Sequence, residues 1–428
     1  MKKRLNIFYT IECYLPTISG SGIATKRIAT GLVKRGHKVA VACPGKGFAV
    51  EKNIEDGVIV YRLSSIPVLI YREYYFSPFA RRYMDNIFDE FKPDIVNLED
   101  HFFVSTAAYF EANKRGIPVI GTNHFHPGNI LQHSKIKKGT SLYRVLERRF
   151  WASFVKLFNE LPVVTTPTNV AADIIRNVGL TKPTIYVISN GISVESYFSS
   201  ENLGRKDFNP GKDYNNSNKS SDWDKKVIGV VSKYRIDEKS PILIPVSRLE
   251  KEKRVDVLIR ALSIIKDKTS FQFLVVGKGK ERPNLEKIAK KCSISNRVIF
   301  TGCVSDSELL ILYGLSDVFL TASEIELQGL SIMEAMASSL PVVASSSMAI
   351  PELVKDGVNG FLFQPGNSRE ASEKILLLLK DKKLRRRMGE NSRKLILEHN
   401  FERTLDEFEK LYYSLVSSTL YARKVSAS

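Results

Sequence analysis

The sequence predicts an α/β protein with two doubly wound, Rossmann-like halves. Three observations predict it. Short, continuous apolar runs of strand length recur along the chain, and such runs suit strands buried on both faces of a parallel sheet. Helical patterns separate most of them. The same rhythm starts afresh near Ile242, after a polar interruption. A chain of 428 residues also has the length of two domains, at roughly 100–200 residues each.

In the first half, "LNIFYTI" reads as a strand that ends in a Pro/Ser/Gly loop, "LPTISGSG". A helix follows, with Ile23, Ile28, Leu32 and Val33 on one face; Gly36 stops it, and "HKVAVAC" is the next strand. Strand, glycine loop, helix and strand make a βαβ unit. "VIVYRL", "DIVNL", "PVIGTNH", "VVTTPT" and "IYVISNG" continue the series. In the second half the strands are "ILIPVSRL", "FQFLVVGKG", "RVIFTG", "VFLTAS" and "PVVAS". The helices between them are "VDVLIRALSIIK", "RPNLEKIAKKC", "SELLILYGLS" and "GLSIMEAMAS". The last helix carries Leu405, Phe408, Leu411 and Tyr412 on one stripe, which must be buried against something.

The expected domains are 1–199 with a completing C-terminal helix 400–428, a polar flexible insert over 200–240, and 241–399. The insert contains the low-complexity "NNSNKSS" and the triplet Asp222-Trp223-Asp224, read as a solvated loop because no strand frames it. Hydrophobic content of 43% and charged content of 26% are ordinary for a globular protein. The net charge of +18 favours an anionic partner: nucleic acid, acidic lipid or a phosphorylated substrate. Cys13, Cys43, Cys292 and Cys303 have neither zinc nor CxxC spacing and read as buried free thiols of a reducing compartment. No apolar run reaches the length of a membrane span. The basic N-terminus reads as a first strand containing Glu12, not a signal peptide, so a cytoplasmic location is expected.

Four stretches of the second half carry chemistry. In "SRLEKEKR", Arg248 ends a strand and Lys253 follows; that end of a parallel strand is where such sheets bind ligands, and the two cations suit a diphosphate. They can equally be two of many surface cations. In "VVGKGKE", Gly277 and Gly279 follow a strand and let backbone approach a ligand, without completing a phosphate-loop or dinucleotide motif. In "ASEIELQGLSIMEAMAS", a glycine turn at Gly329 precedes a helix whose exposed N–H groups suit phosphate oxygens. Glu334, in its second turn, can accept hydrogen bonds from vicinal hydroxyls such as a ribose, and Glu326 can do the same for a sugar ring. Glu334 as a solvent-facing helix residue is the competing reading. "PVVASSSMAIPELVKDGVNGFLF" reads as mostly structural.

Taken in order, these residues resemble the GT-B glycosyltransferases of the group 1 or GT4 family, over about residues 4 to 415 apart from the insert. The resemblance implies two Rossmann-like domains facing each other across a cleft, and a retaining, metal-independent transfer with no required cofactor. Arg248 and Lys253 match the family's diphosphate-binding pair, and Glu326 and Glu334 its E-x7-E pair, the first facing the donor sugar and the second the ribose. Gly329, Leu330 and Ser331 match the loop whose backbone meets sugar and diphosphate. Gly22 matches the first-strand glycine loop near the donor phosphates, His124 the histidine near the reaction centre, and Asn190-Gly191 the segment leading into the interdomain linker. The C-terminal helix is expected to cross back onto the N-terminal domain. The chain departs from the family at Ser339 and at Arg254, where Gly is common, and at Ser21-Gly22, where a Gly-Gly pair is common.

The Gln in "ELQG" and the stretch "GTNHFHPGN" look like those of lipid-directed members. "IPVLIYREYYFSPFARRYM" and "LYRVLERRFWASFVKLF" mix basic, aromatic and aliphatic residues, as an interfacial membrane contact does and as an ordinary amphipathic helix also does. "KDKKLRRRMG" reads as a solvated helix face. His124 and His126 lack an evident third metal ligand, and His124 reads better as a polar contact or proton relay. The expected activity is hexose transfer from a nucleotide diphosphate sugar, of UDP-glucose type, to a lipid or lipid-linked hydroxyl at the inner face of the plasma membrane. The expected partners are this donor, a lipid or glycan acceptor and an anionic membrane surface, with no nucleic acid. Rival readings are a GDP-mannose-dependent mannosyltransferase acting on a glycan or phosphoinositide, a basic nucleic-acid-binding protein, and an inactive sugar-nucleotide-binding module.

Overall fold

The computed structural model describes residues 3–17, 19–68, 71–132, 134, 136–137, 139–197, 222–237 and 239–427. They form two compact units, Met1–Asn190 with Glu402–Ser428, and Gly191–Phe401. The first unit contains β1 (Asn6–Thr10), β2 (Lys38–Pro44), β3 (Glu51–Glu55), β4 (Val58–Leu63), β5 (Ile66–Val68), β6 (Tyr71–Phe76), β7 (Ile95–Leu98), β8 (Val119–Thr122), β9 (Val163–Thr166) and β10 (Thr184–Val187). Eight of them build one sheet in the order β10-β9-β8-β7-β1-β2-β4-β3. All pairings are parallel except β3 with β4. Ile7, Phe8, Tyr9 and Thr10 are all buried, as a strand covered on both faces requires. Strand order reverses direction between β1 and β7, and the carboxyl ends of these two strands hold Glu12, Glu99 and Asp100.

The helix Phe401–Ala427 returns to this unit. Leu405, Phe408, Leu411 and Tyr412 are buried, and the Tyr412 hydroxyl meets that of Tyr9 at 2.6 Å. Arg35, at the end of the first helix, pairs with Glu402 and Asp406.

The second unit contains β11 (Ile242–Ile244), β12 (Gln272–Val276), β13 (Val298–Gly302), β14 (Val318–Thr321), β15 (Val342–Ser345) and β16 (Gly360–Phe363). Their order is β13-β12-β11-β14-β15-β16, parallel throughout. This is the dinucleotide-fold order, with its reversal between β11 and β14, where such sheets take ligands beyond the strands' carboxyl ends.

Several expectations are corrected. Asp222-Trp223-Asp224 opens a helix, Asp222–Tyr234, which buries Val227, Val230 and Tyr234 in the second unit; two acids in its first turn complement the helix dipole. The rest of the insert lies outside the described residues. Within 66–84, β5 and β6 pair antiparallel and the helix Arg81–Phe91 begins, so the described residues do not form one helix. Arg385, within "KDKKLRRRMG", is buried and donates to Leu378 O at 2.7 Å and Leu379 O at 2.9 Å, satisfying carbonyls at the end of the preceding helix. Of the four thiols only Cys43 is buried, with its pKa pushed up to about 12 by burial, and Cys303 is exposed.

Candidate functional site

In the second unit, the loops after β11 and β14 bring Arg248, Lys253, Ser323 and Glu326 to the strand-order reversal. The backbone ties the loops together, Glu324 N–H donating to Glu252 O at 2.9 Å. Arg248 Nη2 donates to the buried Glu252 at 3.2 Å. Lys253 forms an ion pair with Glu326 and lies 3.4 Å from Ser323 Oγ. The next residue, Arg254, has φ +45°, which turns a short 3-10 segment into the helix Val255–Ile265, and its guanidinium pairs with Asp256 and Glu324. Lys253 and Glu326 retain 16% and 18% of their side-chain exposure, so the pair is compensated yet open to exchange with a ligand anion.

Gly329 has φ +82°, a left-handed conformation that turns the loop into the helix Leu330–Ala337. A Cβ there would come within 2.9 Å of Ile332 Cδ1. The Gly329 carbonyl accepts from Ile332 and Met333, so the amides of Leu330 and Ser331 precede the first intrahelical bonds. Glu334 is not solvent-facing: it is buried, and the Tyr313 hydroxyl donates to its Oε2 at 3.1 Å.

Gly277 and Gly279 serve the chain itself. A Cβ on Gly277 would lie 1.9 Å from Ser247 O, and one on Gly279 2.2 Å from Leu249 O. Their missing side chains let the β12 loop pack on the segment that carries Arg248. Gly22 lies inside the helix Gly20–Lys34, not in a loop before it; its N–H donates to the capping Ser19 hydroxyl at 2.9 Å, and a Cβ would meet Cys13 O at 2.7 Å.

In the first unit, His124 follows β8, and its Nε2 lies 3.0 Å from Glu99 Oε2. His126 is tied up otherwise: its Nδ1 accepts from Gly128 N–H at 3.1 Å. Glu12 accepts from the N–H groups of Ser77 and Val104, and its own N–H donates to Asp100 at 2.6 Å. Burial raises the pKa of both carboxyls, and for Glu12 the neighbouring Asp100 charge adds to it. His101 sits among Phe102, Phe125 and Phe154, where burial pushes its pKa down to about 4. Sequence reading missed Glu252, Glu324, Glu99 and Tyr313 as site residues. Glu252 alone left a signal, its i,i+4 spacing from Arg248.

Two family models match the chain: Glycosyl transferases group 1 over residues 231–395, and Glycosyltransferase Family 4 over residues 18–196. The N-acetyl-alpha-D-glucosaminyl L-malate synthase of Bacillus anthracis is 33% identical over 184 residues, 43% of this chain and 48% of that protein. The alpha-monoglucosyldiacylglycerol synthase of Streptococcus pneumoniae is 25% identical over 372 residues, 84% of this chain and 75% of that one. The crystal structure of Anabaena Alr3699/HepE with UDP and glucose superposes with a TM-score of 0.72 at 18% identity, covering 96% of this chain and 100% of that one; at such identity the likeness is one of fold.

Proposed function

The chain belongs to the group 1 glycosyltransferases of the GT-B fold, and from that premise we propose that it transfers glucose from UDP-glucose to a diacylglycerol-type hydroxyl at a membrane face. One observation carries the donor reading: the Arg248–Glu252 and Lys253–Glu326 pairs lie on the loops at the reversal between β11 and β14, and the second of these loops leads into the helix Leu330–Ala337. Arg248, Lys253 and the amides of Leu330 and Ser331 would hold the diphosphate, Lys253 exchanging its carboxylate partner for phosphate oxygens. Glu326, so released, would accept from sugar hydroxyls, and Glu334 from the ribose. Stabilising the leaving diphosphate's charge is then the main catalytic contribution. The chain's own cations do this work, so transfer would need no metal. The retaining course, in which the leaving diphosphate would assist the incoming hydroxyl, and the role of His124 as a polar contact for the reacting sugar both rest on the resemblance.

The acceptor reading is supported by the diacylglycerol-directed relative and by the helix Ser141–Phe158. This helix buries Tyr143, Phe154, Leu157 and Phe158, and exposes Leu142 and Val145 beside Arg144, Arg148 and Arg149. Exposed aliphatics among arginines suit an anionic lipid surface. No helix among the described residues is long and apolar enough to cross a membrane, so contact would be peripheral.

The test is transfer of labelled glucose from UDP-glucose into lipid extract, with anionic vesicles containing diacylglycerol and EDTA present. Labelled glucolipid is the expected result. UDP release that needs a soluble glycan would overturn the acceptor, activity lost to EDTA the metal independence, and turnover only with GDP-mannose the donor.

A further inference from the structure

We propose that Glu99 is a positioning residue for His124, holding the imidazole with its Nε2 proton toward the carboxylate. The inference rests on the reading of His124 as a contact at the reacting sugar. His124 Nε2 and Glu99 Oε2 lie 3.0 Å apart with side-chain exposures of 8% and 2%. Among the described residues neither buried atom completes a hydrogen bond, with the other or elsewhere: the pair is close but stands off the straight N–H···O line. Catalytic hydrogen bonds are often loosely aligned before substrate arrives and tighten in the complex. His124 Nδ1 takes no hydrogen bond among the described residues. Which ring nitrogen carries the proton is set by the bond the other nitrogen makes. A carboxylate brought into line with Nε2 accepts only, so the proton would sit on Nε2 and Nδ1 would keep its lone pair for a hydroxyl proton.

The carboxylate is itself fixed, by a chain of donors crossing three strands. Thr165 Oγ1 lies 2.9 Å from Thr122 Oγ1, and Thr122 Oγ1 donates to Asn97 Oδ1 at 2.9 Å. That bond fixes the Asn97 amide, so Nδ2 turns to Glu99 Oε1 at 3.0 Å and leaves Oε2 for the histidine. The same Nδ2 is 3.4 Å from Tyr412 OH, which meets Tyr9. The Asn97 amide therefore anchors the Glu99 carboxylate through Oε1 and leaves Oε2 as the open end of the network. The elements that carry the network are β7, β8, β9 and the returning C-terminal helix.

The test uses the full-length protein, with UDP-glucose and diacylglycerol vesicles, and imidazole nitrogen NMR in which His124→Ala assigns the His124 signals. The expected spectrum shows the Nε2-protonated form in the wild type and mixed tautomers in Glu99→Ala. Glu99→Ala is expected to lower turnover roughly 10- to 100-fold, the scale of one charged hydrogen bond, with the UDP-glucose KM unchanged. Glu99→Gln has one acceptor oxygen for two donors, Asn97 Nδ2 and His124 Nε2, so its turnover should fall between those of wild type and Glu99→Ala. Full turnover in Glu99→Ala while His124→Ala is inactive would overturn the inference and leave the reading of His124 standing. Full turnover in His124→Ala would overturn that reading. If Glu99→Ala does not fold, the wild-type tautomer decides: an Nδ1-protonated ring would refute the role.

Discussion

Each unit reverses its strand order once, and the two reversals are furnished in opposite ways. The one between β11 and β14 is lined by half-open ion pairs, Arg248 with Glu252 and Lys253 with Glu326. The one between β1 and β7 is closed: Glu12, Glu99, Asp100 and His101 are all buried there, with burial raising the pKa of the Glu12 and Asp100 carboxyls and lowering that of the His101 imidazole. The fold sets where a site lies but not its chemistry. Paired charges with solvent access can exchange partners for an incoming anion. Groups held in a hydrogen-bonded interior cannot, and instead set the proton and orientation of what lies beside them.

The largest effect should come from breaking the open pairs. Lys253→Ala removes a cation from the proposed diphosphate site and leaves Glu326 uncompensated near it. Turnover should fall about 10²- to 10³-fold, the scale of losing one charge-stabilising donor, with circular dichroism and thermal midpoint little changed. Wild-type rates would refute the diphosphate role.

Much of this second site was legible in the sequence because its residues lie in short ordered motifs at strand ends and a helix start. The apolar runs gave the strands for the same reason: period and length are local properties. The partners were not legible. Lys253 and Glu326 are 73 positions apart, and Glu99 and His124 meet only because β7 and β8 are neighbours. The helix at Asp222–Tyr234 was hidden by the polar stretch before it, whose composition masked the apolar positions Val227, Val230 and Tyr234.

A second break works through backbone. Gly277 has φ +132° and packs against Ser247 O. Gly277→Ala should therefore cost about 1–3 kcal/mol, the scale of backbone strain at one residue, and shift the segment bearing Arg248. Urea melts would read the first effect and the KM for UDP-glucose the second. A variant as stable as wild type would show that the loops can part without loss.

The closed reversal has a weak point of its own. Both ring nitrogens of His101 are buried, with no hydrogen-bond partner among the described residues. His101→Phe should stabilise the protein by roughly 1–3 kcal/mol, the penalty of an unsatisfied buried polar group. The sign with pH is fixed by the lowered pKa. Below about pH 6.5 the unfolded histidine takes a proton that the folded one refuses until about 4, so the native protein loses stability as pH falls through that window. Phe removes that contribution, and the gain over wild type should widen from pH 7 to pH 4.5. A gain that shrinks on acidification would mean that the ring charges in the folded state.

The smallest effect returns to the helix Leu330–Ala337, which has a left-handed residue at each end. At its start the residue is Gly329, at no steric cost; beyond its end it is Ser339, with φ +59°. Ser339 N–H bonds Met336 O and Leu340 N–H bonds Ala335 O, both at 3.0 Å, the pattern that closes a helix through a left-handed residue. A side chain in that conformation costs about 1–2 kcal/mol, whereas glycine adds roughly 0.5–1 kcal/mol of unfolded-chain entropy. Ser339→Gly should therefore raise stability by less than about 1 kcal/mol and leave transfer unchanged, because the strain lies at the end of the helix away from Leu330 and Ser331. A gain in stability accompanied by slower transfer would instead show that the strained cap sets the helix start, tying backbone strain to the phosphate-facing amides.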